Sequence, residues 1–324
     1  MTGDRPKVLV LEPGYRSYEV ERVALAVLGA EVIPVGANED ALVVVRALNP
    51  SAILVRERRV DAEIMSAAPA LRCVVRYGIG IDNLDLDAAR DRGIYVANVP
   101  DYGAEYEVSD HAVALYLAVS RRILTRDAAV RKGAWAVGQN ETIIGRRSAT
   151  LGMIGFGRIA RKVATKFRAL GFGRILAFDP GVDAAVFEKE NVIPAQPDEV
   201  CKEADVLSLH APFLPETRHM IDRERIAMLK PTAVVINVAR GGLVDEVALA
   251  DALTAGRIFG AGIDVFEQEP PALDHPLLST PNTVVSDHTA WYSEDSVNAL
   301  QTRAADEVLR VLTGERPVNW VNPW

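Results

Sequence analysis

The feature that most constrains the fold is a glycine-rich turn between a buried strand and a helix. Residues 148–154 form an apolar run that predicts a strand, and residues 158–170 have helical periodicity. Gly155, Gly157 and Ala160 occupy the turn and the helix start in the pattern Gly-x-Gly-x-x-Ala. This order of strand, glycine turn and helix is typical of the dinucleotide-binding unit of a Rossmann domain.

An acidic residue at the end of the next predicted strand indicates which dinucleotide binds. Asp179 follows the apolar run 175–178 and lies 19 positions beyond Ala160, near the roughly 20 that the pattern requires. A carboxylate there accepts hydrogen bonds from ribose hydroxyls and repels a 2′-phosphate, so the sequence predicts NAD rather than NADP. The turn residues expected to contact this cofactor are Gly155, Phe156, Gly157, Arg158 and Ile159.

Composition excludes several classes of partner. The chain has 324 residues, which predicts about two domains, and a formal net charge of −8. A negative chain of this kind is not expected to bind nucleic acid or an anionic membrane. The start lacks a long apolar segment, so we expect a cytoplasmic protein. Cys73 and Cys201 have no metal-ligand spacing and are expected to be inert.

Strand-like and helix-like runs alternate along nearly the whole chain. This alternation predicts an α/β fold with two doubly wound parallel-sheet domains, because parallel strands need crossover helices. We expect a discontinuous, flavodoxin-like substrate domain from residues 1–100 plus 293–324, and a Rossmann NAD-binding domain from residues 101–292. The segment 105–124 is predicted as one long helix that bridges the domains or lines an oligomer interface. The tail 317–324 is expected to fold back onto the first domain.

Chemically active side chains follow three predicted strands of the NAD-binding domain, where α/β folds gather their sites. Nicotinamide exchanges a hydride, so a partner carbonyl must be polarised and must exchange a proton. Arg240 could hold a carboxylate with a bidentate grip and polarise the adjacent carbonyl. Glu267 and Glu269 follow a second strand, and His288 follows a third.

The three segments resemble the D-isomer-specific 2-hydroxyacid dehydrogenase family, and the resemblance covers nearly the whole chain. It rests on residues 239–246 (ARGGLVDE), residues 264–270 (DVFEQEP) and the short segment around His288. By this resemblance, Arg240, Glu269 and His288 are the catalytic residues. His288 would protonate the carbonyl oxygen as hydride arrives, and Glu269 would favour its imidazolium form. The implied activity interconverts a 2-oxo acid and its D-2-hydroxy acid.

The same resemblance implies further contacts. Gly78, Ile79 and Gly80 would contact the substrate carboxylate, Arg76 would add a second cation, and Trp291 would wall the substrate pocket. Residues 288–294 and Arg76 are most similar to the branch that contains the C-terminal-binding proteins. Further cofactor contacts are implied at Val108, His210, Ala211, Pro212, Thr217, Val238, Ala239 and Asp264. Asp287 stands where many family members have proline, which could alter how rigidly His288 is held.

Two functions of different classes remain open from the sequence. The first is a working NAD-dependent dehydrogenase, with a small-molecule 2-oxo or 2-hydroxy acid as its substrate and a homodimer as its expected assembly. The second is an NAD-responsive regulatory or scaffold protein with little turnover. The intact trio of Arg240, Glu269 and His288 favours the enzyme. A phosphorylated substrate would need extra cations, and the sequence does not tell whether Arg56, Arg58 or Arg59 supplies them.

Overall fold

The chain folds into two compact units, each built on its own parallel sheet. A computed structural model describes residues 5–135 and 141–324. Unit 1 contains the described residues up to Gly103 together with Ser293–Trp324, and unit 2 contains Ala104–Tyr292. Among the described helices, none combines the length and the apolar character needed to cross a bilayer.

Unit 1 has a five-stranded parallel sheet with the order β2-β1-β3-β4-β5. Its strands β3 and β4 are buried along their whole length, which explains why they are apolar in sequence up to Arg76 at the end of β4 rather than alternating. The strands are β1 (Lys7–Leu11), β2 (Glu31–Val35), β3 (Ala52–Val55), β4 (Cys73–Arg76) and β5 (Tyr95–Asn98). The helices are α1 (Glu19–Leu25), α2 (Ala41–Leu48), α3 (Ala62–Ser66), α4 (Leu86–Asp91) and α12 (Glu294–Thr313).

Unit 2 has a seven-stranded parallel sheet with the order β12-β11-β10-β9-β6-β7-β8. The strands are β6 (Thr150–Ile154), β7 (Arg174–Phe178), β8 (Ile193–Pro194), β9 (Val206–Leu209), β10 (Val234–Asn237), β11 (Gly260–Ile263) and β12 (Thr283–Val285). The helices are α5 (Ala104–Ser120), α6 (Ile123–Arg131), α7 (Arg158–Ala169), α8 (Ala184–Lys189), α9 (Pro197–Glu203), α10 (Arg223–Met228) and α11 (Glu246–Thr254). The predicted α/β class with two parallel sheets is therefore confirmed.

The prediction of one long helix over residues 105–124 was wrong. α5 ends at Ser120, and Arg122 takes a left-handed backbone with φ of 53° before α6 begins. A left-handed residue cannot continue an α-helical hydrogen-bond ladder. Tertiary contacts hold this break, since Arg122 Nε donates to Thr142 O (2.9 Å) and the guanidinium lies over the Phe259 ring. Helical periodicity alone carries no information about such contacts.

α5 packs within unit 2, against β11. A Cβ atom added at Gly262 would lie 2.8 Å from Leu115 Cβ, and one added at Gly260 would lie 2.6 Å from Val119 Cγ1. The two glycines therefore allow the close approach of helix to strand.

The expectation for the tail is confirmed within unit 1. Trp320 forms an antiparallel bridge with Ala97, and Val321 N donates to Val96 O (2.9 Å).

Candidate active site

The glycine turn after β6 is shaped to receive a dinucleotide. Gly155 has φ of 90°, and a Cβ there would lie 2.5 Å from the carbonyl carbon of His210, so only glycine fits. Gly157 is the N-cap of α7 and has no side chain with which to cap it. A Cβ there would meet no described heavy atom within 4 Å. The first-turn amides of α7, including those of Arg158 and Ile159, thus lie at a position suited to a pyrophosphate.

Asp179 fixes the shape of this turn. Its Oδ2 accepts a hydrogen bond from Phe156 N (2.7 Å), and its Oδ1 accepts one from Gly181 N (2.9 Å). The residue is half-buried at the end of β7. A carboxylate oxygen has more than one lone pair, so Asp179 can accept from ribose hydroxyls while it holds the backbone. The donor set at this turn therefore fits a nicotinamide dinucleotide.

The loop after β9 contributes shape rather than charge. Ser208 Oγ lies 2.8 Å from His210 Nε2, and burial lowers the pKa of His210 to about 3, so its imidazole is neutral. Thr217 Oγ1 donates to Pro212 O (2.8 Å) and accepts from Leu214 N (2.8 Å), which closes the turn that follows Ala211. Contacts of these residues with a cofactor stay a prediction.

Glu269 and His288 form a hydrogen-bonded pair. His288 Nδ1 lies 2.7 Å from Glu269 Oε2, and Glu269 Oε1 accepts from Phe266 N (3.0 Å). Burial by itself would raise the pKa of Glu269, but the hydrogen bond and charge of His288, the Phe266 amide and the charge of Arg240 together lower it. Glu269 is therefore a carboxylate. Within the described residues, the ring contact uses Nδ1 and leaves Nε2 of His288 for a reactant.

Arg240 lies at the exit of β10, beside the loop that carries Glu269. Its Nη1 donates to Ala239 O (2.8 Å). A Cβ at Gly241 would lie 1.9 Å from the carbonyl carbon of Phe266, and one at Gly242 would lie 2.5 Å from the Phe213 ring. The glycines after Arg240 therefore let two loops touch, and this contact brings the Arg240 charge near Glu269.

Asp264 organises the backbone that presents His288. Its carboxylate is buried, with Oδ1 accepting from Thr289 N (3.0 Å) and Ser286 Oγ (2.6 Å), and Oδ2 accepting from Ala290 N (3.0 Å). Asp264 O also accepts from His288 N (2.7 Å). His288 has φ of 55°, so these contacts hold a left-handed backbone.

The Asp264 side chain, which we predicted to contact the cofactor, therefore accepts hydrogen bonds from its own loop. Ser286 received no role from the sequence, although it is a polar residue directly after β12. His111 lies on α5, and its Nε2 is 2.8 Å from Ser286 Oγ.

A second acid–imidazole pair supports the loop of Glu269. Glu246 Oε1 accepts from Glu267 N (2.8 Å), and its Oε2 lies 2.9 Å from His275 Nε2. Burial raises the pKa of Glu246, while the Glu267 amide and His275 act in the opposite direction. His275 is not a surface residue, because its side chain is only 18% exposed. No sequence pattern predicted the pairing of Glu246 with His275, which are 29 residues apart.

Three further residues of unit 2 were predicted to contact substrate or cofactor, and the structure places them as follows. Trp291 is half-buried, and its Nε1 donates to His288 O (2.9 Å). Val108 is buried on α5, and Val238 is buried in the loop after β10. The substrate role of Trp291 and the cofactor roles of the two valines stay predictions.

The glycine loop predicted to bind substrate lies in unit 1, directly after β4. Gly78 has φ of 123° and packs so closely on Arg76 that a Cβ would lie 1.9 Å from Arg76 Nη1. Gly78 O accepts from Val99 N (3.0 Å), and Ile79 O accepts from Asn98 Nδ2 (2.7 Å). Together with Gly80, which closes this stretch, the loop is fixed by its own unit. Its contact with a substrate stays a prediction.

Comparison with known proteins identifies the family. Residues 113–290 match the family described as D-isomer specific 2-hydroxyacid dehydrogenase, NAD binding domain. The chain belongs to this family. The resemblance stated from the sequence is confirmed, and a nicotinamide dinucleotide is the cofactor for which this domain is built.

Relatives of the D-2-hydroxyacid dehydrogenase family cover most of the chain. Glyoxylate reductase of Korarchaeum cryptofilum is 42% identical over 271 residues, which are 81% of this chain and 80% of that protein. D-3-phosphoglycerate dehydrogenase of Methanocaldococcus jannaschii is 38% identical over 265 residues, 82% of this chain and 50% of that protein. D-lactate dehydrogenase of Aquifex aeolicus, solved with NAD and lactic acid, has a TM-score of 0.85 and 28% identity over 98% of this chain and 99% of that one.

The comparison with these relatives establishes the family but not the substrate of this chain. The matched part of the chain spans about half the length of the phosphoglycerate dehydrogenase. The named relatives are dehydrogenases and reductases, so the regulatory alternative is not favoured. The resemblance to the C-terminal-binding-protein branch stays a prediction.

Proposed function

We propose that this protein is an NAD-dependent reductase that interconverts a 2-oxo acid and its D-2-hydroxy acid. The observation that carries the proposal is the 2.7 Å contact between His288 Nδ1 and the ionised Glu269, with the positive charge of Arg240 beside it. An imidazolium that is stabilised by a neighbouring carboxylate is suited to donating a proton at neutral pH. A surface histidine or a solvated turn would not require this arrangement.

Each residue of the trio has a distinct role in the proposed reaction. The bound dinucleotide supplies the hydride that reduces the carbonyl carbon. Arg240 binds the substrate carboxylate and polarises the carbonyl oxygen. His288 gives the proton from Nε2 to that oxygen, so the carbonyl becomes an alcohol and the imidazole becomes neutral. In the reverse direction, the neutral imidazole accepts the hydroxyl proton.

In this proposal the two units have different roles, one in cofactor binding and one in substrate recognition. We assign cofactor binding to unit 2, with Asp179 setting the preference for NAD over NADP through its negative charge. We assign recognition of the substrate carboxylate to unit 1, through the amides of Gly78, Ile79 and Gly80 and through Arg76. Trp291 would contact the apolar part of the substrate.

The direct test is NADH oxidation with a panel of glyoxylate, hydroxypyruvate, pyruvate, phenylpyruvate and 4-methylthio-2-oxobutyrate. We expect reduction of at least one acid and a product of D configuration by chiral chromatography. NADPH in place of NADH should give the lower kcat/KM. Absence of turnover with every acid, or an L product, would contradict the proposal.

We also infer a homodimer. Exposed apolar side chains follow the surface of α5 and α6, where five large apolar residues are between 38% and 54% exposed: Tyr106, Leu117, Ile123, Leu124 and Val130. Large apolar side chains exposed along two consecutive helices favour association. Light scattering coupled to size-exclusion chromatography should give twice the chain mass, and Leu124→Glu should shift the protein towards the monomer. A monomeric wild-type protein at micromolar concentration would contradict this inference.

A further inference from the structure

A chain of hydrogen bonds runs from the helix α5 to the buried carboxylate of Asp264. His111 Nε2, on α5, lies 2.8 Å from Ser286 Oγ, and Ser286 Oγ lies 2.6 Å from Asp264 Oδ1. Asp264 directly follows β11, and Ser286 directly follows β12. The chain therefore joins one helix and the ends of two neighbouring strands, all within unit 2.

The direction of each hydrogen bond follows from the protons that the groups carry. A carboxylate has no proton to give, so the Ser286 hydroxyl donates to Asp264. A hydroxyl has only one proton, so Ser286 Oγ has to accept from His111. His111 therefore carries a hydrogen on Nε2 and is the donor at the start of the chain. A side chain without a donor at position 111 would no longer hold the Ser286 hydroxyl in this orientation.

The packing of α5 on β11 fixes the position of His111. Leu115 is buried one helical turn beyond His111 and so lies on the same face of α5. A Cβ at Gly262 would lie 2.8 Å from Leu115 Cβ, which shows how closely the helix approaches the strand. The His111 side chain is only 27% exposed. α5 thus presents this imidazole to Ser286 from a packed interface.

Asp264, at the end of the chain, holds the backbone of His288. The amides of three consecutive residues, 288–290, donate to Asp264: the first to its carbonyl oxygen and the other two to its carboxylate. His288 has φ of 55°, a conformation that persists in a residue other than glycine only where its surroundings hold it. A buried carboxylate is itself costly unless its oxygens accept hydrogen bonds. Loss of the Ser286 donor should therefore loosen the group that fixes His288.

We propose that His111 and Ser286 are positioning residues, which hold the proton donor His288 in place. They act on its backbone through Asp264, whereas Glu269 contacts its ring at Nδ1. The inference rests on the proposed function, in which His288 exchanges the proton with the substrate oxygen. A small displacement of a group that transfers a proton slows the reaction more than it weakens binding. The chain from α5 should therefore affect kcat more than the affinity for NADH.

The first test is amide hydrogen exchange of residues 288–290, measured by NMR in the full-length protein. His111→Leu and Ser286→Ala should each speed exchange at these amides at least fivefold, because the Asp264 carboxylate loses part of its support. The measurement needs no turnover, so it is independent of the proposed function. If His111→Leu does not fold, Ser286→Ala decides. Unchanged exchange at residues 288–290 in the folded variants would overturn the proposal.

Two further variants separate positioning from a general loss of stability. His111→Gln keeps an N–H donor on a side chain of similar length, so it should restore most of the protection of residues 288–290 that His111→Leu removes. Ser120→Ala is the matched control for the serine change. Ser120 is also buried in unit 2, but its hydroxyl contacts Leu117 O (3.4 Å) within α5. Faster exchange at residues 288–290 in Ser120→Ala, equal to that in Ser286→Ala, would overturn the proposal.

The second test is reduction of the best acid of the panel with NADH. His111→Leu and Ser286→Ala should each lower kcat by about tenfold, and His111→Gln should recover most of it. The dissociation constant of NADH should change by less than about threefold. The double variant His111→Leu, Ser286→Ala should be no slower than about the slower single variant, because both changes break one chain. Independent, multiplying effects on kcat, or no recovery in His111→Gln, would overturn the proposal. Absence of turnover in the wild type would instead contradict the proposed function, and the exchange rates would still decide whether His111 holds this segment.

Discussion

The two units place charged residues at equivalent edges of their parallel sheets but use them differently. At the edge of unit 1, Arg76 Nη2 lies 2.6 Å from Glu57 Oε1 and the Arg76 side chain is buried, so this pair is closed. At the edge of unit 2, the pair of Glu269 and His288 uses one ring nitrogen and leaves the other for a reactant. The difference teaches that charge at a sheet edge indicates a site, whereas the way the charge is paired indicates its role. A closed pair suits the support of a loop, and an open pair suits proton transfer.

The largest effect should come from the open pair. His288→Gln removes the proton donor, so reduction should slow by about 10²- to 10⁴-fold. Binding of NADH, followed by its fluorescence, should change little. His219→Gln is the matched control, because His219 lies in the same unit and pairs with Glu267 at its surface. Comparable turnover by His288→Gln and His219→Gln would contradict the role of His288 as proton donor, and with it the contrast between the sheet edges of the two units.

The next effect compares one arginine from each unit. Arg240→Gln should lower kcat/KM by up to about a hundredfold, since a charge-assisted hydrogen bond is worth up to about 3 kcal/mol. The loss should appear mainly with the 2-oxo acid and not in NADH affinity, and the melting temperature should change little. Arg76→Gln should instead lower the melting temperature, because it leaves Glu57 without its buried partner. Equal effects of the two changes on stability would contradict the comparison.

A smaller effect concerns the cofactor. Asp179→Asn removes the negative charge and keeps an oxygen that can accept from Phe156 N. The ratio of kcat/KM for NADH over NADPH should fall by about tenfold, the factor that about 1.4 kcal/mol of lost repulsion gives. Asp183→Asn, which changes the same charge near the start of α8, is the control. An unaltered ratio in Asp179→Asn would remove Asp179 from cofactor selection.

The smallest effect should be on folding. Glu57→Gln should lower the free energy of unfolding by about 1 to 2 kcal/mol, less than a fully buried pair, because Glu57 is 35% exposed. Urea unfolding of this variant and of Glu63→Gln, which removes the same charge from an exposed position of the same unit, measures the difference. A loss as small in Glu57→Gln as in the exposed control would show that the pair at the edge of unit 1 is not a closed one.

Most of the fold was predictable because fully buried strands are apolar runs, which have a strong local signal. β3 is a four-residue apolar run, and β9 is interrupted only by the buried Ser208. The two-residue strand β8 was missed because Ile193 and Pro194 have no periodicity of their own. The break at Arg122 was missed because contacts distant in sequence hold it.

In the candidate active site, too, some residues could be predicted from the sequence and some contacts could not. Arg240, Glu269 and His288 could be named from short motifs, and the structure brings Glu269 and His288 into direct contact. Pairings such as Glu246 with His275, or Arg56 with Glu12, depend on how loops from different strands meet. Sequence spacing does not encode that geometry. The engagement of the Asp264 carboxylate by its own loop was hidden for the same reason.

The most direct test of the open pair is the pH dependence of kcat/KM for reduction in the wild type and in Glu269→Gln. The pKa of Glu269 is lowered from its ordinary 4.5, so the carboxylate stays ionised at every pH above that value and its support for the imidazolium is lost only in stronger acid. Removing the carboxylate should therefore lower kcat/KM for reduction at neutral pH by about tenfold or more, because His288 Nδ1 loses the ionised partner that lies 2.7 Å away. Superimposable pH profiles of kcat/KM in the two proteins would contradict the claim that Glu269 supports proton transfer by His288.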